Sequence, residues 1–191
     1  MRRAAIALGA AAWLLAATPA SAAFLTLTEA QQAEALRVGQ RSVSTETGFD
    51  AEWRVGNAAG ESLVVMTPFY RLALAARNAA FKNETVKPQD QDKLLQELRD
   101  RLMVWVELPG PREDFARYYT PRLLAADREI APVFVQNERT GLRRANGSFL
   151  ARSVYAFPNR EITGQSKLVL VIRDPDGQLM SRFAIELAKM R

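Results

Sequence analysis

Seven residues starting at Leu102 constrain the fold more than any other stretch. Leu102, Val104, Val106 and Leu108 alternate with Met103, Trp105 and Glu107. A period of two places one set of side chains in a core and the other set on the opposite face of a strand. Pro109-Gly110-Pro111 stops the run. No helix accommodates that pattern, so the chain must build at least one sheet.

Other segments supply partners for it. Trp53 and Val55 alternate with Glu52 and Arg54, and after the turn signal Asn57-Ala58-Ala59-Gly60 comes the short apolar run Ser62–Met66. Further strands are expected over about 132–144, 148–157, 167–173 and 178–187. Five consecutive apolar residues inside Lys167–Arg173 mark a central strand covered on both faces. In the last strand Leu179, Ser181, Phe183, Ile185 and Leu187 share one face. Asn146-Gly147 and Asp174-Pro175-Asp176-Gly177 are tight-turn signals. Residues 112–130, which hold Phe115, Tyr118 and Tyr119, read as irregular or briefly helical.

Helical signals are confined to the N-terminal half. Thr28 with Gln31 forms a capping box ahead of a narrow, mostly alanine face that runs to about Ser42. Thr67-Pro68 opens a second helix and Pro88 a third, with Leu94, Leu95, Leu98 and Leu102 on its stripe. The expected architecture is therefore mainly β: an antiparallel β-sandwich of about seven strands, with an N-terminal helix and a two-helix insertion over about 68–101. The alternative is an α+β layer with helices on one face of an antiparallel sheet. No repeat, linker or second domain breaks residues 23–191.

The first 22 residues read as a cleaved secretory signal peptide. Arg2 and Arg3 precede an uncharged, mostly apolar run over residues 4–17, and Ala20-Ser21-Ala22 offers small residues for cleavage. The run is too short for a permanent membrane span, which takes about 20 residues. A bacterial general-secretion route, a mature start at Ala23 and a periplasmic or secreted location follow as expectations.

Composition then narrows the chemistry. The chain has no cysteine and no histidine, which removes disulfides, thiolate nucleophiles, Ser-His-Asp machinery and Cys/His metal sites. Asp90-x-Asp92 and Asp174-x-Asp176-Gly177 lack the acids an EF-hand loop requires. There is no glycine-rich phosphate loop or dinucleotide fingerprint, so neither a metal nor a cofactor is expected.

Charge is uneven. Residues 106–191 carry 14 basic and 10 acidic side chains, and Arg139, Arg143, Arg144, Arg152 and Arg160 are opposed locally only by Glu138 and Glu161. If Asn146 and Gly147 form a two-residue hairpin loop, Arg139 falls opposite Val154, Arg143 opposite Leu150 and Arg152 opposite Gly141. Arg139, Arg143 and Arg152 would then share one face as a docking patch for carboxylates or phosphates.

The expected function is a non-catalytic exported envelope protein, a binding or structural module for a protein or an acidic envelope component, with no nucleic acid partner. The alternative is a carboxylate-based hydrolase acting on envelope glycan. Its candidates are Glu107, Glu113 and Asp114 beside Tyr118 and Tyr119, since a sugar cleft needs paired carboxylates and aromatic surfaces.

Overall fold

The computed structural model describes residues 25–44 and 48–191. The expected leader, residues 1–22, and the expected mature start at Ala23 lie outside the described residues.

The capping box closes as the sequence predicts. Thr28 Oγ accepts from the Gln31 amide at 3.3 Å, and the Thr28 amide donates to Gln31 Oε1 at 2.9 Å. Helix α1 (Glu29–Arg41) follows. Its Ala35 and Gly39 are buried against helix α2 (Pro68–Ala80), whose Ala73 and Ala76 face them. Small side chains on both helices allow the backbones to approach closely. Thr67 caps α2 by accepting from the Tyr70 amide at 3.1 Å, and Pro68 takes the first helical position. Helix α3 (Pro88–Leu98) also starts on a proline and fully buries only Leu98.

Among the described residues ten strands form two antiparallel sheets. Sheet A contains β1 (Arg54–Gly56), β2 (Ser62–Met66), β3 (Arg101–Gly110) and β8 (Phe149–Pro158), in that order. Both β6 (Phe134–Gln136) and β7 (Leu142–Arg143) pair with the far edge of β8. Sheet B runs β10 (Leu179–Glu186), β9 (Lys167–Arg173), β4 (Thr120–Ala125), β5 (Arg128–Ile130).

The predicted alternation of β3 decides where the core sits. Leu102, Val104, Val106 and Leu108 join Leu63, Tyr155 and Phe157 of sheet A and Leu123, Leu168, Leu170, Ile172, Phe183 and Ile185 of sheet B in one apolar cluster. A second cluster packs the helices onto the other face of sheet A: Val64 and Met66 meet Trp53, Phe69, Tyr70 and Leu72. That is why β2 reads as a continuous apolar run, since both of its faces are covered. The molecule is thus mainly antiparallel β, with α+β character where the helices lie on sheet A.

Three sequence expectations need correction. The described residues form ten strands rather than about seven. Residues 112–130 are not merely irregular, because β4 and β5 form a hairpin there and β4 pairs with β9 along its length. Pro121 and the run Leu123-Leu124-Ala125 mask the alternation of β4. The turn beyond it places Ala126, not glycine, at φ 50°, so the usual hairpin signal is missing. Finally, 132–144 is not one strand. Between β6 and β7 the chain leaves the ladder, and Gly141 N donates to the Glu113 carbonyl at 2.6 Å.

Candidate binding edge

The arginine hairpin does not have the predicted register. Leu142 pairs with Leu150 and Arg143 with Phe149. The Arg144 amide donates to the Ser148 carbonyl at 2.8 Å, and Gly147 N to the Arg144 carbonyl at 3.0 Å with Gly147 at φ 83°. The loop therefore has three residues, a type I turn closed by a left-handed glycine, instead of two. One residue of slip moves every side chain to the other face. Arg143 now lies on the side of Phe149, while Arg152 lies on the side of Leu150. Arg139 sits in the segment outside the ladder. The three arginines are all exposed, but the pairing does not gather them on one face.

Arg152 is also engaged. Its Nε donates to Glu107 at 3.2 Å; Glu107 in turn receives Arg54 at 3.4 Å, and Arg54 Nε reaches Asp50 at 2.9 Å. Hydrogen bonding to Asp50 raises the Arg54 pKa above its ordinary value. This string of ion pairs runs over the outer face of sheet A.

The carboxylate–aromatic group is likewise dispersed. Glu107 is held between two arginines on β3. Glu113 and Asp114 are exposed in the turn after that strand, where Asp114 lies 3.9 Å from Arg112. Tyr118 is exposed beneath the Arg117 guanidinium, whereas Tyr119 is buried edge-on to Phe115. Burial raises the Tyr119 pKa and pushes that of Tyr155 up to about 12, so neither phenol ionises near neutral pH. Among the described residues, no cluster of three or more acidic side chains could hold a metal ion.

What the sequence reading missed is the free edge made by β6 and β7. Val133, Phe134, Val135 and Leu142 are 63%, 42%, 43% and 62% exposed, on an edge that among the described residues pairs only with β8. Strand edges carrying exposed apolar side chains are templates for another chain. From Gln136 to Leu142 the edge has six steps against four on β8. The surplus residues are tied down elsewhere: Asn137 Nδ2 donates to the Tyr119 carbonyl at 2.8 Å, the Tyr155 hydroxyl donates to Asn137 Oδ1 at 2.9 Å, and Glu138 N reaches Ser153 Oγ at 3.3 Å. Pro132 just ahead of the apolar triplet was the available signal, because proline in a sheet favours edge strands.

Beyond the N-terminal end of β6 lies an open groove of about 890 Å³, where the chain crosses from β5 of sheet B to β6 of sheet A. Ile130, Val133 and Pro158 supply its apolar lining, and Arg101, Arg128 and Arg160 its cations. Arg128 is paired with Glu161 at 2.7 Å, and Glu129 with Arg122 at 2.9 Å. The guanidinium groups of Arg101 and Arg160 make no hydrogen bond or ion pair with any described residue. None of Glu107, Glu113, Asp114, Tyr118 and Tyr119 lines this groove.

The sequence matches no protein-family model. It matches no curated protein either. In structure the chain is similar to a protein of unknown function from Burkholderia pseudomallei K96243, at 9% identity and a TM-score of 0.43, over 86% of this chain and 96% of that one.

Proposed function

We propose that this chain is a non-catalytic binding module of the bacterial envelope, exported by the general secretion route, and that its contact surface is the β6–β7 edge. One observation carries the reading: a sheet edge that no other described strand pairs with exposes Val133, Phe134 and Val135 in succession. A strand-forming partner adds main-chain hydrogen bonds at such an edge and seats alternate side chains beside it. The dispersal of the five carboxylate and aromatic candidates favours binding over hydrolysis. No helix among the described residues is long and apolar enough to cross a membrane.

The test uses tagged protein secreted from the full-length gene, wild type and Val133→Lys/Phe134→Lys. Both positions face solvent, and lysine is a known blocker of edge pairing. Cross-linking in intact cells should trap a wild-type adduct that the double variant lacks, with thermal stability matched within about 1 kcal/mol. An adduct retained by the lysine variant rejects the edge as the contact surface.

A further inference from the structure

We propose that the occupant of this edge is an extended acidic polypeptide segment, lying as a strand along β6 with carboxylates reaching Arg101 and Arg160 in the groove. This rests on the edge-binding reading and adds the chemistry of the partner. Val133 and β6 span four residues, about 13 Å at roughly 3.3 Å per residue. A strand laid along them runs past Val133 into the groove at one end and towards Arg139 and Arg143 at the other.

Charge selects the occupant. In the groove the ion pairs of Arg128 with Glu161 and of Glu129 with Arg122 leave Arg101 and Arg160 facing only Asp100. At the opposite end Arg139, Arg143 and Arg144 form no ion pair among the described residues, and they outnumber the two acids there, Glu138 and the Glu113 whose carbonyl meets Gly141. Both ends of the apolar edge therefore carry excess positive charge. A second copy of this chain would bring arginines against arginines across a two-fold axis, which disfavours self-pairing. A segment with carboxylates flanking a short β-forming centre is complementary at both ends, and the planar guanidinium fork binds carboxylates in bidentate fashion. The openness of the groove also matters: its lining residues are exposed or half-buried, which suits an extended chain better than a small ligand that must be enclosed.

The experiment uses two capped, fluorescently labelled octapeptides with the same Val-Thr-Val-Thr centre, one with two glutamates at each end and one with two lysines. Anisotropy is measured against wild-type protein, Arg101→Gln/Arg160→Gln and Val133→Lys/Phe134→Lys, at low and high salt, with melting curves to confirm that each variant folds. The acidic peptide should bind wild type and the lysine peptide should not. The arginine variant should weaken binding roughly tenfold or more, and high salt should do the same. Equal binding of both peptides, or full binding by the arginine variant, overturns the acidic assignment while leaving the edge intact. Loss in the arginine variant with full binding by the lysine variant instead removes the edge and with it the strand-pairing proposal. Failure of both peptides, together with a concentration-dependent dimer in sedimentation that Val133→Lys/Phe134→Lys abolishes, identifies a second copy as the occupant and overturns the proposal; failure of both without a dimer also overturns it.

Discussion

Replacing Gly39 by alanine sets two effects of opposite sign against each other. Within a helix alanine is favoured over glycine by about 0.8–1 kcal/mol, so on propensity alone α1 should gain. The packing says otherwise. A Cβ on Gly39 would stand 2.0 Å from the Ala73 carbonyl oxygen and 2.8 Å from the Ala76 Cβ. Both obstacles belong to α2, and the nearer one is backbone that no rotamer change can move. Reaching ordinary contact at roughly 3.4 Å means withdrawing α1 by about 1.4 Å, which opens the seam around Ala35 and Ala73. Overpacking of this kind costs about 3 kcal/mol, so the net effect is a loss of about 2 kcal/mol. For a chain of this size that is a fall of roughly 4–8 °C in Tm. Urea unfolding monitored by Trp fluorescence measures the loss, and hydrogen exchange localises it. Protection should fall in α1 and α2 while β3, β8 and β9 keep theirs, because α1 touches the sheets little. A variant stabilised by about 1 kcal/mol, with α1 protection unchanged, would show that propensity decides and that the helices are not in close contact.

Two further predictions concern buried polar groups. Thr67→Ala removes the cap of α2 and also the hydroxyl that donates to the Arg191 carbonyl; a loss of about 2 kcal/mol in chemical denaturation is expected, and a loss below about 0.5 kcal/mol would contradict both contacts. Tyr155→Phe leaves Asn137 Oδ1 without its donor and should cost about 1–2 kcal/mol at pH 7. Burial raises the Tyr155 pKa from 10.0 to about 12, so the fold favours the neutral phenol. Its contribution is complete below pH 10 and is lost as pH rises towards 12. The stability gap between wild type and Tyr155→Phe should accordingly narrow between pH 10 and 12, in urea titrations at fixed temperature; a constant gap would refute the assignment.

The elements most legible in the sequence are those whose signals are local. The capping box at Thr28, the Thr67-Pro68 start and the alternation from Leu102 each depend on neighbours a few residues away, and each forms as read. β9 follows the same logic through its apolar run. Leu179 shows where the reading stops: a register shift between Leu179 and Ser181 leaves it exposed, although Ser181, Phe183, Ile185 and Leu187 are buried as expected. The Asn146-Gly147 hairpin is legible in the sequence but its loop length is not, since that dipeptide serves both two- and three-residue loops. A single residue of loop length then rearranged the arginine patch. The β4–β5 hairpin was hidden because an alanine carries the positive φ. Arg101 and Arg160 could not be grouped beforehand, because they are joined only by the pairing of Arg101 with Pro158 across distant strands.

The nesting of the strands has a kinetic consequence. Arg101 pairs with Pro158, and Thr120 with Arg173, so the farthest pairs of β3 and β4 join residues more than fifty positions apart. At about 5–20 residues per second, roughly 4–14 s separate synthesis of Arg101 from that of Arg173. Until that interval ends sheet B lacks β9 and β10, which supply most of its residues against the apolar face of β3. High contact order of this kind slows folding after synthesis as well. If the chain is exported as proposed, such slowness would let the polypeptide meet a translocation channel before it has a fold to undo.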